Sequence, residues 1–246
     1  MRRFRRIEPG YVELGASGVA LLTKAPWLGG VSSGQNFAGT AASLTPVTPS
    51  KIICIGRNYR AHAQELGNAV PAEPLLFFKP PSALLDPGGV VRLPPESSRV
   101  EFEAELAVVI GKRTRRVPAE RALDHVFGFT IACDITARDL QRKDGQWTRA
   151  KGFDTFCPVG REVTTDVDVR ELSIRLFQND ELRQDGNTRD MVFGVPELIA
   201  YVSNVMTLEP GDLLLTGTPE GVGPIATGDR IRIEIETLGR LEFTVE

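Results

Sequence analysis

The stretch Glu101-Phe102-Glu103-Ala104-Glu105-Leu106-Ala107-Val108-Val109-Ile110 (EFEAELAVVI) reads as a β-strand. Side chains alternate across a strand, so Glu101, Glu103 and Glu105 share one face, and Phe102, Ala104, Leu106, Val108 and Ile110 share the other. Beyond Glu105 the carboxylate face continues as Ala107 and Val109, which makes the run apolar on both sides. Such a run penetrates a core. Carboxylates stacked at the mouth of a buried strand repel one another and lose hydration. Either they stand in water at a strand edge, or a cation neutralises them.

The surrounding composition narrows the classes of function. At 246 residues the chain suits one large domain, or one domain with a small appendage. A formal net charge of −3 carries no polyanion-binding signature, which excludes nucleic acid as an expected partner. No apolar run approaches the roughly 20 residues of a membrane helix. The basic start Met1–Arg6 is interrupted by Glu8, Pro9 and Gly10, so it does not read as a secretory signal, and the early Glu8 and Glu13 argue against a transit peptide. Cys54, Cys133 and Cys157 each lie beside apolar residues and read as reduced core cysteines of a cytoplasmic protein.

Residues 1–45 look like a small β-rich domain, with Tyr11–Leu14 and Val19–Leu22 joined through Gly15 and Gly18. Ser43–Ser50, with two prolines, reads as a linker into a second domain, 46–246. That part is rich in strands. Ile52–Ile55, Phe127–Cys133 and Leu213–Leu215 are apolar strands, and Ile231, Ile233 and Ile235 alternate with charged residues as a half-buried strand that turns into a final one. Helices are few: Pro118–Val126 and Pro196–Asn204 are the clearest. The spacing favours a β-dominated α+β roll or sandwich over a doubly wound α/β sheet.

Asp134 supplies a third carboxylate at the end of the strand Phe127–Cys133. It reads either as part of the cap of a helix starting at Thr136-Ala137-Arg138-Asp139 or as a ligand beside the glutamates. Three carboxylates completed by water suit Mg²⁺ or Mn²⁺, with Ca²⁺ also compatible, and zinc is disfavoured because no His or Cys pair has ligand spacing. His62 and Glu65 share a face if the segment is helical; they are either a chance surface pair or a histidine held by a carboxylate to act on water. His125 reads as structural. Lys151 is either solvated or part of a site. The loop Thr216–Pro224 (TGTPEGVGP) exposes amides and hydroxyls, as a plain turn or as a carboxylate cradle, and lacks a Walker ending.

The ordered segments GRNYRAHAQELG, FFKPPSAL, EAELAVVIGK, ACDITARDLQ, WTRAKGFDTFCPVG and DLLLTGTPEGVGP, spread over Lys51 to Val245, resemble the fumarylacetoacetate hydrolase family and its short single-catalytic-domain members. The resemblance implies a mixed β-sandwich roll, a homodimer, and Mg²⁺ or Mn²⁺. It implies Glu103, Glu105 and Asp134 as metal ligands, His62 and Glu65 as a catalytic dyad, and Lys151 as the active-site lysine. It further implies Arg138, Gln141 and Thr218 as substrate contacts, and Lys79 near the site. Glu101 is not among the family's ligands and is expected to be solvated or to sit behind them.

The expected activity is metal-dependent chemistry on a small-molecule 2-oxo or enol carboxylate through an enolate. Hydrolysis of a C–C bond in an acylpyruvate-type substrate leads. The alternatives are a 2-hydroxyhepta-2,4-diene-1,7-dioate or 5-carboxymethyl-2-hydroxymuconate-type isomerase and an oxaloacetate-type decarboxylase. A different class, a non-catalytic metal-stabilised domain that binds oxo acids, would explain the carboxylates but not His62, Glu65 and Lys151.

Overall fold

Strands dominate the chain, as its short apolar runs and frequent Gly and Pro breaks demand. The computed structural model describes residues 1–246 apart from Pro9, Ser17 and Thr40. The largest sheet has 11 strands, and its middle runs Val163–Thr164, Val126–Cys133, Ala104–Ile110, Leu213–Leu215, Ile52–Gly56 and Leu75–Lys79. Leu213–Leu215 and Ile52–Gly56 pair in parallel, while the other neighbours in this middle are antiparallel. A second sheet of five strands, Glu181–Asn187, Ser173–Gln178, Arg230–Ile235, Gly239–Val245 and Val90–Val91, faces it.

All seven residues of Ala104–Ile110 are buried, as a strand apolar on both faces requires. One face, with Leu106, Val108 and Ile110, packs into the core that also holds Phe129, Ile174, Leu176, Ile231 and Ile233. The other face, with Ala107 and Val109, joins Ile52, Cys54, Leu213, Leu215 and Trp27. Burying each such branched side chain contributes about 1.5–3 kcal/mol, so the two cores hold the layers together from both sides of one strand. The alternating Ile231, Ile233 and Ile235 are buried, and their strand turns into Gly239–Val245.

The structure corrects three local expectations. First, Glu101–Ile110 is not one strand. Val100–Phe102 belongs to a three-stranded sheet with Thr136–Ala137 and Gly223–Pro224, and the chain changes sheets at Glu103. Second, Thr136 does not cap the helix Arg138–Asp144, whose N-cap is Ala137 with no side-chain bond. Thr136 is drawn into pairing with Glu101, and its hydroxyl donates to the Asp134 carbonyl at 3.0 Å. Third, 43–50 is no free linker. Ser43–Leu44 pairs with Arg3–Ile7, and Val47 is fully buried. The strands of residues 1–45 continue the large sheet through Arg3–Ile7 against Val163–Thr164.

Asp212, fully buried beside the strand Leu213–Leu215, fastens that strand to Ser50 and Lys51 at the head of Ile52–Gly56. Its carboxylate accepts from the Ser50 amide (2.9 Å) and hydroxyl (2.7 Å), the Lys51 amide (3.2 Å) and the Glu209 amide (2.8 Å), and it pairs with the Lys51 ammonium. Asp212→Ala leaves these donors unmatched and is expected to cost about 3–5 kcal/mol. Urea unfolding of the variant against the wild type measures it.

Candidate active site

The carboxylates meet because of sheet register. Ala104–Ile110 and Val126–Cys133 are antiparallel with Ala104 opposite Cys133. The next residues outward are Glu103 and Asp134, joined by the Asp134 amide donating to the Glu103 carbonyl at 2.8 Å. Glu105 lies two residues into the strand on the same face as Glu103. One oxygen from each of Glu103, Glu105 and Asp134 lies within 4.8 Å of the others, and all three residues are buried.

Cations are threaded among these acids. Lys151 Nζ donates to Glu103 Oε2 at 2.8 Å and to Asp134 Oδ2 at 2.6 Å. Lys79 Nζ lies 2.8 Å from Asp134 Oδ1 and donates to the carbonyls of Ile135 (3.0 Å) and Lys151 (2.6 Å). Arg138 donates from each of its three guanidinium nitrogens: Nε to Glu101 (2.7 Å), one terminal nitrogen to Glu103 (2.6 Å) and the other to Gln141 (2.6 Å). Glu101 is therefore not solvated; it is buried behind Glu103 and holds Arg138 in place, with Arg99 on its other oxygen at 2.6 Å.

The resulting protonation states follow from these contacts. Burial pushes the Glu103 carboxyl up, but Lys151 and Arg138 outweigh it and hold the group well below the usual carboxylate range. Glu105 has no ammonium or guanidinium hydrogen-bonded to it among the described residues; its Oε2 accepts from the Gly217 amide at 2.6 Å. Burial, with Asp134 and Glu103 adding repulsion, raises its pKa well above the ordinary value. Lys151, penalised by burial, is nevertheless held protonated by Asp134 and Glu103.

Four buried carboxylates (Glu101, Glu103, Glu105, Asp134) thus face three buried cations (Arg138, Lys151, Lys79). The triad of hard oxygen donors, one of them without a cation of its own, fits a divalent metal ion. Glu103, Glu105 and Asp134 are the residues that could hold it.

His62 sits on the helix Arg60–Glu65, buried, with Nδ1 3.5 Å from Glu65 Oε2. Burial lowers its pKa, Glu103 opposing and Arg138 adding to the effect, so the imidazole is neutral near pH 7. Glu65 accepts from the Gly221 amide at 3.1 Å, which ties this helix to the Thr216–Pro224 loop. Asn58, fully buried, adds a second tie by donating to the Thr216 carbonyl at 2.8 Å. Gly217 has φ +93°, and a Cβ there would come within 2.8 Å of Asn58, so this turn requires glycine. His125 lies apart from this cluster, with Nδ1 3.1 Å from the Thr114 hydroxyl.

These groups surround a cavity of about 200 Å³, which Glu103, Glu105, Arg138, Gln141, Lys151, His62 and Thr218 all line. Glu65 stands behind His62, and Asp134 lies beneath the lysines. The structure therefore brings the sequence-derived residues to one place.

One residue had no sequence signal. Gln184 lies in the polar strand Glu181–Asn187 and is fully buried. Its carbonyl accepts from the Ala104 amide (3.0 Å) where the chain changes sheets. Its amide donates to Thr218 Oγ1 (2.9 Å) and to the Pro219 carbonyl (2.8 Å). One side chain thus links the glutamate strand to the Thr218 loop.

The fumarylacetoacetate (FAA) hydrolase C-terminal family matches residues 51–246. The chain belongs to this family. It is 47% identical over 205 residues to a mitochondrial oxaloacetate tautomerase of Arabidopsis thaliana, covering 80% of this chain and 91% of that one. It is 46% identical over 198 residues to a mitochondrial oxaloacetate decarboxylase of Dictyostelium discoideum, covering 78% and 91%. The crystal structure of a 2-hydroxyhepta-2,4-diene-1,7-dioate isomerase from Mycobacterium marinum superposes with a TM-score of 0.90 at 40% identity, covering 100% of this chain and 98% of that one. The fold is the family's β-dominated one, and no described helix is long and apolar enough to cross a membrane.

Gln184→Leu strips partners from the buried Ala104 amide and from the Thr218 loop. An expected loss of about 1–3 kcal/mol in chemical denaturation checks this contribution.

Proposed function

We propose that this protein is a divalent-metal-dependent enzyme acting on a small 2-oxo dicarboxylate of the oxaloacetate type. Its reaction is keto–enol tautomerisation or loss of the carboxyl group next to the carbon that becomes the enolate. The observation that carries the reading is a buried His62 on the wall of a small cavity floored by the acid triad and lined by cationic side chains. The kinship to proteins named oxaloacetate tautomerase, oxaloacetate decarboxylase and hydroxyheptadienedioate isomerase supports it over acylpyruvate hydrolysis.

Mg²⁺ or Mn²⁺ on Glu103, Glu105 and Asp134 would supply Lewis acidity toward the 2-oxo acid and stabilise developing negative charge. The protein residues do the rest. His62, neutral and backed by Glu65, accepts a proton from the carbon next to the carbonyl and returns it to the other tautomer. Lys151, held protonated between Glu103 and Asp134, keeps a fixed positive charge where the enolate forms. Arg138, anchored on Glu101, fixes the position of Glu103. The Thr218 hydroxyl, oriented by Gln184, contacts a substrate oxygen, and Gln141 borders it.

Hydrolysis of an acylpyruvate is the second reading. The His62–Glu65 pair favours it, because the same base could activate water. A homodimer in the cytoplasm belongs to the proposal.

Purified protein with Mg²⁺ is expected to speed equilibration of the enol and keto forms of oxaloacetate, followed by ultraviolet absorbance, or to release CO₂. His62→Ala is expected to lower kcat by about 10²–10⁴-fold. Acetylpyruvate cleavage without oxaloacetate turnover would overturn the choice in favour of the hydrolase. Adding Mg²⁺ is also expected to raise the melting temperature of the wild type, and Glu105→Gln to remove that rise.

A further inference from the structure

A dicarboxylate presents two anionic ends. The acid triad with its cation would take one, and something must take the other. The buried cations of the site are already engaged with its acids. Arg138 is committed to Glu101, Glu103 and Gln141, and Lys151 to Glu103 and Asp134. Two guanidinium groups remain on the cavity wall with no carboxylate partner among the described residues: Arg57 and Arg142. They differ in how they are held. Arg142 is exposed, in the last turn of the helix Arg138–Asp144, and bonds to nothing described. Arg57 is half-buried, and its guanidinium carbon lies 5.9 Å from the centroid of the Trp147 ring, which itself packs against Phe77 at 5.1 Å. Such a cation–π contact, at its outer range, uses none of the guanidinium's donors.

The backbone points the same way. Arg57 has φ +58°, the left-handed region that residues bearing a Cβ rarely adopt. It follows the strand Ile52–Gly56, where a Cβ on Gly56 would lie 2.8 Å from Trp147. Downstream, the Asn58 side chain bonds to Phe193 and Thr216 and fixes the turn. A glycine would take this conformation without strain, yet the position carries a long cationic side chain facing the cavity. Of the seven described non-glycine residues with positive φ, Arg57 is the one that lines this cavity.

We infer that Arg57 binds the distal carboxylate of the substrate and thereby makes the site selective for 2-oxo dicarboxylates over monocarboxylates of the same chain length. This rests on the proposed reading of the cavity as the substrate site. Trp147 borders the guanidinium, and two of its N–H groups donate to the carboxylate as a fork.

The test compares two ligands that are not turned over and differ only at the distal end: malate, and 2-hydroxybutanoate, with a methyl in place of the carboxylate. Competition against oxalate, in Mg²⁺, gives the affinity of each. Wild-type protein is expected to prefer malate by about tenfold or more, the size of a charge-assisted pair. Arg57→Leu is expected to bring that ratio near one while oxalate still binds. Arg57→Gly, which relieves the backbone, should do the same with an intact melting transition, and Arg57→Lys should keep part of the preference. A variant Arg57→Gly that retains the malate preference overturns the assignment, as does an Arg142→Leu protein that alone loses it. If neither oxalate nor malate binds the wild type with Mg²⁺, the reading of the cavity falls, and Arg57 with it.

Discussion

Like charges forced together out of water are the constraint on which the rest of this structure depends. The antiparallel register of Ala104 opposite Cys133 brings Glu103 and Asp134 to the same end of the large sheet, and the strand's alternation adds Glu105. No fold would keep such a cluster unless other groups offset the repulsion and the lost hydration. Lys151, Lys79 and Arg138 do so for Glu103, Asp134 and Glu101 through short ion pairs. Glu105 alone has only a backbone amide, and that asymmetry makes the triad a metal-binding candidate and not a closed salt-bridge network.

The division of labour among the cations follows from the same constraint. Those nearest the acids are engaged in holding them, so their charge is fixed in space. Those at the rim keep free donors. The cavity therefore has an acidic floor pinned by buried cations and a basic rim. This polarity suits a substrate that is chelated at one end and paired at the other. The segments that build the rim are tied to one another: Asn58 to the Thr216 loop, Glu65 to Gly221, Gln184 to Thr218. A shift of any one loop would be felt by the others, which couples the geometry of the site to the packing of the two sheets.

Much of this was legible in the residues, for identifiable reasons. The run Ala104–Ile110, apolar on both faces, is buried throughout, and the period-two Ile231, Ile233 and Ile235 are buried on their face. Asp134 could be suspected because a carboxylate ending an apolar strand has no local use. The capping box at Thr136 misled because a local hydrogen-bonding preference lost to strand pairing with Glu101, a partner 35 positions earlier in the sequence. Glu101 was expected either in water or behind the ligands, and the structure places it behind Glu103. Its partner there is Arg138, which the helix Arg138–Asp144 delivers from another part of the chain. The residue pattern favoured hydrolysis, and kinship shifted the balance toward tautomerisation and decarboxylation, because one enolate serves all three reactions and the discriminating groups lie on the pocket wall.

By itself the sequence determined the strand-rich class, the apolar faces and the ordered set of chemical groups, since these depend on periodicity and on short motifs. Only the tertiary structure decided which cations are engaged with the acids, that Gln184 joins the glutamate strand to the Thr218 loop, and that Arg57 stands at the cavity wall with positive φ beside Trp147. Those properties are set by contacts between residues far apart in the chain. Sheet register and side-chain burial create such contacts, and no local pattern encodes them.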